Sequence, residues 1–120
     1  MHKVIALAGG VGGAKLVFGL SKILKPQELS VVVNTADDDM FHGLHVSPDV
    51  DTVMYALAGL TNKTTGWGIE GDTFITLSAL QRLGEDTWFQ LGDLDLATHI
   101  KRTSMPVSYT HLTLPTSDLV

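Results

Sequence analysis

A glycine-rich turn between an apolar strand and a helix constrains the fold of this chain more than any other feature. The run KVIALAG (3–9) ends in glycine and is typical of a strand buried on both faces of a parallel sheet. The run AKLVFGLSKIL (14–24) has the apolar spacing of a helix, and Pro26 ends it before the β-branched run LSVVVNTA (29–36). This order predicts a βαβ unit with a parallel sheet, and therefore an α/β fold.

Three further helices are predicted from N-cap residues and apolar periodicity. Ser47 followed by Pro48 has the composition of a helix start, and Asp72 is the predicted N-cap of the next helix. The run TWFQLG (87–92) predicts a short strand or a turn. The helices are predicted over residues 47–59, 72–84 and 93–103.

The composition changes after Thr103. Residues 104–120 contain six Ser or Thr and two Pro, but no Lys, Arg or Glu, and they show no regular periodicity. We therefore predict a partial α/β domain over residues 1–103, and a tail over residues 104–120 that is disordered or foreign to the domain.

The composition excludes several functional classes. With a net charge of −5 and no basic cluster, the chain is expected to bind no nucleic acid. It has no cysteine, which excludes disulfides, thiolate zinc sites and cysteine nucleophiles and fits a cytoplasmic protein. No apolar run reaches the roughly 18 residues of a membrane span, so none is expected.

The turn AGGVGGAKL (8–16) is the first candidate site. Backbone N–H groups at a strand-to-helix turn can bind phosphate, and Lys15 adds a positive charge. The pattern matches neither the Walker A loop nor the dinucleotide fingerprint, which argues against ATP hydrolysis and hydride transfer. We predict phosphate binding, and the alternative is a tight turn that needs small residues for packing. The predicted phosphate-binding residues are Gly9, Gly10, Val11, Gly12, Gly13 and Lys15.

Two acidic groups follow the second predicted strand. The run NTADDDMFHG (34–43) lies at the carboxyl end of that strand, where ligands bind in open α/β sheets. Asp49 and Asp51 follow in the run SPDVDT (47–52). Together these acids predict a Mg²⁺ site completed by substrate phosphates. The alternatives are a solvated acidic turn for the first group and helix-dipole stabilisation for the second.

Trp67 and the run LGDLDLATHIKRT (91–103) are further candidates. Trp67 lies in a loop between two glycines, where it either anchors the loop on the core or stacks on a flat ring. Asp95 and His99 lie four residues apart and share a helix face, so they form either part of a site or a surface pair.

Five blocks in series resemble the 2-phospho-L-lactate transferase family of deazaflavin coenzyme F-420 biosynthesis. They are LAGGVGGAKL, VVVNTADDD, HGLHVSPDVDTVMYALAG, GWGIEGDTF and LGDLDLATHIKRT, and they cover about residues 3–103. The resemblance implies a cytoplasmic, Rossmann-like enzyme that depends on Mg²⁺. Such enzymes transfer a 2-phospholactyl group, or in some lineages a phosphoenolpyruvyl group, from a diphosphoguanosine donor to a hydroxyl of the deazaflavin Fo and release GMP.

The resemblance also implies roles for individual residues. Gly9 to Gly13 would hold the donor phosphates, and Asp49 and Asp51 would serve catalysis, metal and acceptor without a clear division. Family members often have a charged residue where this chain has Leu94. The metal ligands implied are Asp37, Asp38 and Asp49, and the acceptor-binding residues implied are Asp51, Trp67, Asp93, Leu94 and His99.

Family members are much longer than this chain. We therefore expect a truncated, N-terminal part of the enzyme that is unstable or inactive by itself, from a parent that could be a homodimer. One alternative is a nucleotide-sugar-binding regulator of the gluconeogenesis-factor type, but the run ADDDMFHG lacks the glycine–serine run expected there. Another is a nicotinamide oxidoreductase, but Asn34 stands where that class has an acid.

Overall fold

The computed structural model describes residues 3–105, which form an α/β fold around a parallel two-stranded sheet. Strand β1 (Val4–Ala8) pairs in parallel with β2 (Leu29–Val33), and helix α1 (Gly10–Ile23) and a 3-10 turn (Pro26–Glu28) connect them. The predicted α/β class and parallel sheet are therefore confirmed. The remaining elements are β3 (Asp39–Phe41), β4 (Leu44–Val46), α2 (Pro48–Leu57), α3 (Ile75–Arg82) and α4 (Asp93–Ser104).

The core between the sheet and helices α1 and α2 is built from small side chains. Ala6 and Ala8 of β1 are buried against Val17 of α1 and Val53 of α2. Small residues let α1 approach β1 closely, since a Cβ atom on Gly13 would lie 2.9 Å from Cα of Ala8. Gly13 thus has the packing role that was the alternative to phosphate binding.

The described residues leave the opposite face of the sheet uncovered. Ile5 and Leu7 of β1 are 70% and 78% exposed, and Val32 of β2 is 56% exposed. Strand side chains alternate between two faces, and both helices pack on the face that carries Ala6 and Ala8. The prediction that β1 is buried on both faces is therefore wrong within residues 3–105.

A short antiparallel hairpin occupies part of the stretch predicted as an acidic turn. Strand β3 begins at Asp39 and pairs with β4, and His42 and Gly43 connect them with φ values of 52° and 78°. A two-residue turn with positive φ at both positions matches the twist of paired strands, and glycine adopts it without strain. The dipeptide His42–Gly43 between two apolar residues is the sequence signal for this hairpin.

Two helices begin elsewhere than predicted. Gly10 is the first residue of α1, so the glycines form the first turn of the helix and not a loop before it. Helix α3 begins at Ile75, because Asp72 does not cap it. Residues 87–92 form neither a strand nor a hydrogen-bonded turn, but irregular backbone with a bend at Phe89, so neither predicted alternative is observed. The helices predicted over 47–59 and 93–103 are confirmed as α2 and α4.

The predicted tail lies almost wholly outside the described residues, which end at residue 105. Ser104 belongs to α4, one residue past the predicted end of that helix. Within residues 3–105, no helix has the length and hydropathy needed to cross a lipid bilayer.

Helices α3 and α4 cap each other through two aspartates. The Asp93 carboxylate, at the start of α4, accepts hydrogen bonds from the N–H groups of Ile75 (3.0 Å) and Thr76 (2.9 Å) at the start of α3. The Asp72 carboxylate, which precedes α3, accepts from the N–H group of Leu94 at 2.8 Å in the first turn of α4. Each acid thus satisfies backbone donors that the other helix would leave unpaired.

Removal of either cap is expected to weaken this pair of helices. We expect Asp72→Ala to lower the free energy of unfolding by about 1 kcal/mol, the usual loss for a helix N-cap. Asp93→Ala should lower the free energy of unfolding too. The double variant should lose less than the sum of the two single losses, because both acids stabilise the same contact between α3 and α4. Urea denaturation measures the losses. Glu70→Ala, which alters an exposed acid outside both helices, is the control, and a loss as large as that of Asp72→Ala would contradict the capping role.

Candidate functional site

Six of the predicted site residues line one cavity of about 390 Å³, which we call the acid cavity. It lies between the first turn of α1, helix α2, the loop at Trp67, the segment 88–90 and helix α4. A second cavity of about 410 Å³, the loop cavity, shares four lining residues with it, namely Trp67, Gly68, Gln90 and Asp95. The predicted residues that line the acid cavity are Gly10, Val11, Asp49, Asp51, Trp67 and His99.

The glycine turn contributes only its first residues to the acid cavity. Gly9 lies beside Asp49, since a Cβ atom on Gly9 would be 3.6 Å from Oδ2 of Asp49. Gly10 and Val11 line the cavity, at the N-terminus of α1, where the helix dipole favours an anion. Gly12 and Lys15 are exposed and line neither cavity, so their phosphate-binding role stays a prediction.

The structure separates the three predicted metal ligands. Asp49 lines the acid cavity, and its Oδ2 atom accepts a hydrogen bond of 3.3 Å from the amide of Asn34 at the end of β2. Asp38 accepts a hydrogen bond of 2.9 Å from the hydroxyl of Ser47, and Asp37 is exposed; both lie outside the two cavities. The three acids are therefore not brought to one point, and their shared metal role stays a prediction.

A buried ion pair joins Asp51, which lines the acid cavity, to Arg102, which does not. Both terminal nitrogens of Arg102 donate to the two carboxylate oxygens of Asp51, with Nη1 at 3.3 Å from Oδ2. Burial raises the pKa of Asp51 from 3.8 to about 6, although the charge of Arg102 opposes this increase. Both carboxylate oxygens of Asp51 are therefore already engaged by Arg102 before any ligand binds.

Asp95 is the carboxylate that remains available at the junction of the two cavities. Its Oδ1 atom accepts a hydrogen bond of 2.5 Å from the hydroxyl of Tyr55. Burial, together with this hydrogen bond to Asp95, raises the pKa of Tyr55 well above its usual range, so the phenol stays protonated and donates. Asp95 is only partly buried and lines both cavities.

His99 connects the two carboxylates. Its ring is 1% exposed, with Nδ1 at 3.6 Å from Asp51 Oδ2 and Nε2 at 3.1 Å from Asp95 Oδ2. The Nε2 contact lacks the alignment of a hydrogen bond. Ligand atoms of these three residues lie within 4.8 Å of one another, a spacing that a metal could use. Since Arg102 already neutralises Asp51, we interpret the group as an ion-pair network that fixes Asp95.

Side chains of α4 attach this network to strand β4. The N–H group of His45 donates to Thr103 Oγ1 at 2.8 Å, and Arg102 Nη1 donates to the carbonyl of His45 at 3.2 Å. His45 lies opposite Met40, next to the pair Phe41 and Leu44 that closes the turn. Hydrogen-bonded pairs alternate with non-hydrogen-bonded pairs in an antiparallel ladder, so the backbone N–H and carbonyl groups of His45 face away from β3. Helix α4 therefore satisfies the free edge of β4 and holds the network in place.

Of the predicted acceptor-binding residues on α4, the structure places only His99 at a cavity, and the acceptor role of all three stays a prediction. Asp93 caps α3 and Leu94 is 55% exposed, and both lie outside the two cavities, whereas Asp95 lines both. The four-residue spacing of Asp95 and His99 is the signal that identifies the inward face of α4. The prediction did not include Tyr55, Trp88 or Arg102, although Tyr55 follows Asp51 by four residues on α2.

Titration of Asp51 tests the network directly. We expect the carboxyl ¹³C shift of Asp51 to titrate with a midpoint near pH 6, because burial raises its pKa to about 6. Because the pKa of Asp51 is higher in the folded state than in the unfolded state, protonation of Asp51 favours folding. Its contribution to the free energy of unfolding is largest below about pH 4 and is lost as the pH rises through 6. Arg102→Gln should raise the midpoint further in whatever population stays folded. A midpoint near 4 would contradict the burial of this carboxylate.

The first turn of α1, the acids of α2 and the acid–histidine pair of α4 share one cavity. The chain is therefore an α/β protein with a candidate small-molecule site at the carboxyl end of its sheet. Residues 4–120 match the family model of 2-phospho-L-lactate transferase CofD. The chain belongs to this family.

Curated relatives agree with the family model. The 2-phospho-L-lactate transferases of Methanocorpusculum labreanum and Methanothermobacter thermautotrophicus are 48% and 45% identical over 82% and 83% of this chain. The phosphoenolpyruvate transferase of Mycobacterium tuberculosis is 44% identical over 86% of it. The matched segment spans about a third of the length of these relatives, 33% for the first two and 35% for the third.

Proposed function

We propose that this chain carries the acceptor side of a CofD-type transferase site. In this reaction a 2-phospholactyl or phosphoenolpyruvyl group moves from a diphosphoguanosine donor to a side-chain hydroxyl of the deazaflavin Fo, and GMP is released. The two transferase names of its relatives and its family support this class of reaction.

One observation carries the proposal. Residues from separate sequence blocks, namely Gly10, Asp49, Trp67 and His99, line a single cavity of about 390 Å³. The cavity combines a helix N-terminus with carboxylates and aromatic rings, which suits a reaction between a phosphate and a hydroxyl on an aromatic molecule.

The reaction needs alignment and a place for one proton. The acceptor hydroxyl attacks the donor phosphorus, a P–O bond forms, and the P–O bond to GMP breaks on the opposite side. The hydroxyl proton passes to a carboxylate at the cavity wall. Asp49 and Asp95 are available for this step, whereas Asp51 is bound on both oxygens by Arg102.

The charges of the acid cavity fit a divalent cation. Asp49, Asp51 and Asp95 line it, and no Lys or Arg does so among the described residues. Arg102 neutralises Asp51 from outside the cavity, so a bound phosphate would meet the negative charges of Asp49 and Asp95. Asp49 is the residue that would hold Mg²⁺, because oxygen ligands beside substrate phosphates are what this ion prefers. When bound, Mg²⁺ would neutralise charge on the transferred phosphate group.

Transfer of this segment into a relative tests the proposal. In the chimera, this chain's residues replace the matching segment of the Methanocorpusculum labreanum transferase. We expect Mg²⁺-dependent release of GMP when the donor and Fo are both present, measured by chromatography, with the product identified by mass. The chain alone serves as a second sample, and our expectation that it is inactive by itself stays a prediction.

Two controls limit the interpretation of the chimera. Omission of Fo should abolish GMP release, because the donor then lacks its acceptor. A correctly folded chimera that releases no GMP would contradict the proposal. Binding of a nucleotide-sugar in preference to Fo would instead favour the regulator of the gluconeogenesis-factor type.

A further inference from the structure

A buried phenol on α2 holds one carboxylate oxygen of Asp95. Tyr55 is 5% exposed, and its hydroxyl donates to Oδ1 of Asp95 at 2.5 Å. The same hydroxyl lies 2.8 Å from the hydroxyl of Thr98. A phenol has a single proton and a carboxylate is the stronger acceptor, so Thr98 donates to Tyr55 and Tyr55 donates to Asp95. This chain of hydrogen bonds fixes the orientation of the carboxylate.

The backbone and the second oxygen of Asp95 are held as well. Asp95 is the third residue of α4, and its N–H group donates to Oδ2 of Asp72 at 3.2 Å. Its own Oδ2 atom lies 3.1 Å from Nε2 of the buried His99. The Asp95 side chain is nevertheless 15% exposed and lines both cavities. The carboxylate is therefore ordered before a ligand binds and is still open to one.

The other two acids of the acid cavity have partners that reduce their basicity. Both oxygens of Asp51 accept from Arg102. Asp49 is the residue that we assign to Mg²⁺, and a nearby cation favours the charged form of a carboxylate over the protonated form. Within residues 3–105, no Lys or Arg pairs with Asp95. Asp95 is therefore the acid of this cavity best suited to accept a proton.

We infer that Asp95 is the proton acceptor of the transfer reaction and that Tyr55 is its positioning residue. The inference rests on the proposed function and assigns the proton that this reaction releases. The O–H bond of the acceptor hydroxyl breaks, its proton passes to the Asp95 carboxylate, and its oxygen forms the new bond to phosphorus. The P–O bond to GMP breaks, and GMP leaves with that electron pair. Asp95 then returns the proton to water.

Asp95→Asn in the chimera tests the proton acceptor, because the amide keeps the size of the carboxylate and an oxygen for Tyr55 but is not basic. We expect GMP release to fall about 100- to 10,000-fold, the usual contribution of a general base. The Mg²⁺ concentration that gives half the maximal rate should not change, whereas loss of a metal ligand would raise it. Formate should raise the rate of Asp95→Ala, in which space for a small carboxylate is left, but not that of Asp95→Asn.

Tyr55→Phe tests the positioning role, because it removes the hydroxyl and keeps the ring. We expect kcat to fall about 10- to 100-fold, the usual effect of a misplaced catalytic group, with the KM for Fo unchanged. In the Asp95→Asn background the same substitution should lower the rate no further, because Tyr55 acts through the carboxylate. Thr98→Val, which removes the donor to Tyr55, should give a smaller loss of the same kind.

Thr61→Val is the control for loss of a hydroxyl. Thr61 lines neither cavity, and its buried Oγ1 atom has no hydrogen-bond partner among the described residues. Its rate should equal that of the chimera, and circular dichroism verifies that each variant is folded. The inference is overturned if Asp95→Asn keeps the full rate, if added Mg²⁺ restores that rate, or if Tyr55→Phe lowers the rate equally with and without the Asp95 carboxylate. A folded chimera that releases no GMP would refute the proposed function as well.

Discussion

Arg102→Gln is expected to leave the chain largely unfolded under conditions in which the wild type is folded. Arg102 neutralises Asp51, whose side chain is 7% exposed, and also binds the backbone carbonyl of His45 on β4. Loss of one partner of a buried ion pair costs about 3–5 kcal/mol, which approaches the whole stability of a small domain. Far-UV circular dichroism during urea titration measures the effect.

Lys101→Gln is the matched control, because Lys101 is an exposed neighbour on α4 with the same charge. It should change stability by less than about 0.5 kcal/mol. Replacement of both partners, Asp51→Leu with Arg102→Leu, should recover part of the loss, since no buried charge is then left unpaired. If Arg102→Gln were as stable as Lys101→Gln, the ion pair would not support the fold.

Asp49→Asn in the chimera is expected to lower the rate of GMP release by about 100-fold or more. Asp49 lines the acid cavity beside Gly9 and is the carboxylate assigned to Mg²⁺. Loss of residues that only support a metal ligand reduces activity by 10- to 100-fold in known sites, so loss of a ligand should reach at least the upper end. Higher Mg²⁺ concentrations should restore part of the rate.

Glu28→Gln is the control for this substitution. Glu28 is an acid at the opposite end of β2 from the site. It lies just before the strand begins, whereas Asn34, the hydrogen-bond partner of Asp49, lies just after the strand ends. The amide of Gln retains an oxygen that can accept from Lys25, as the Glu28 carboxylate does at 2.8 Å. Equal rates for the chimera and its Asp49→Asn variant would show that Asp49 serves neither metal nor acceptor.

The sequence predicts the parts of this fold that depend on local signals. The βαβ unit follows from apolar runs separated by glycine and proline, and α2 and α4 follow from apolar periodicity. The sequence also predicts that Gly10 and Asp49 lie near one another. Both follow strands of the sheet, and the carboxyl ends of parallel strands meet at one edge of the sheet.

The sequence does not predict pairings between distant residues. Asp72 has every local feature of an N-cap for α3, yet its carboxylate caps α4, and Asp93 caps α3 in exchange. The same holds for Arg102, whose partner Asp51 lies 51 residues away. A local pattern indicates which side chains are suited to a role, but tertiary contacts decide which helix or acid they serve.

The exposed face of the two-stranded sheet limits the protein concentration at which the chain stays monomeric. Within residues 3–105, β1 and β2 are both edge strands, and Ile5, Leu7 and Val32 lie exposed between free backbone groups. An apolar face with unpaired edges is a template for pairing between molecules. The net charge of −5 opposes this only through long-range repulsion, which salt screens. Self-association should therefore increase with ionic strength, and dilute, low-salt buffers should favour the monomer.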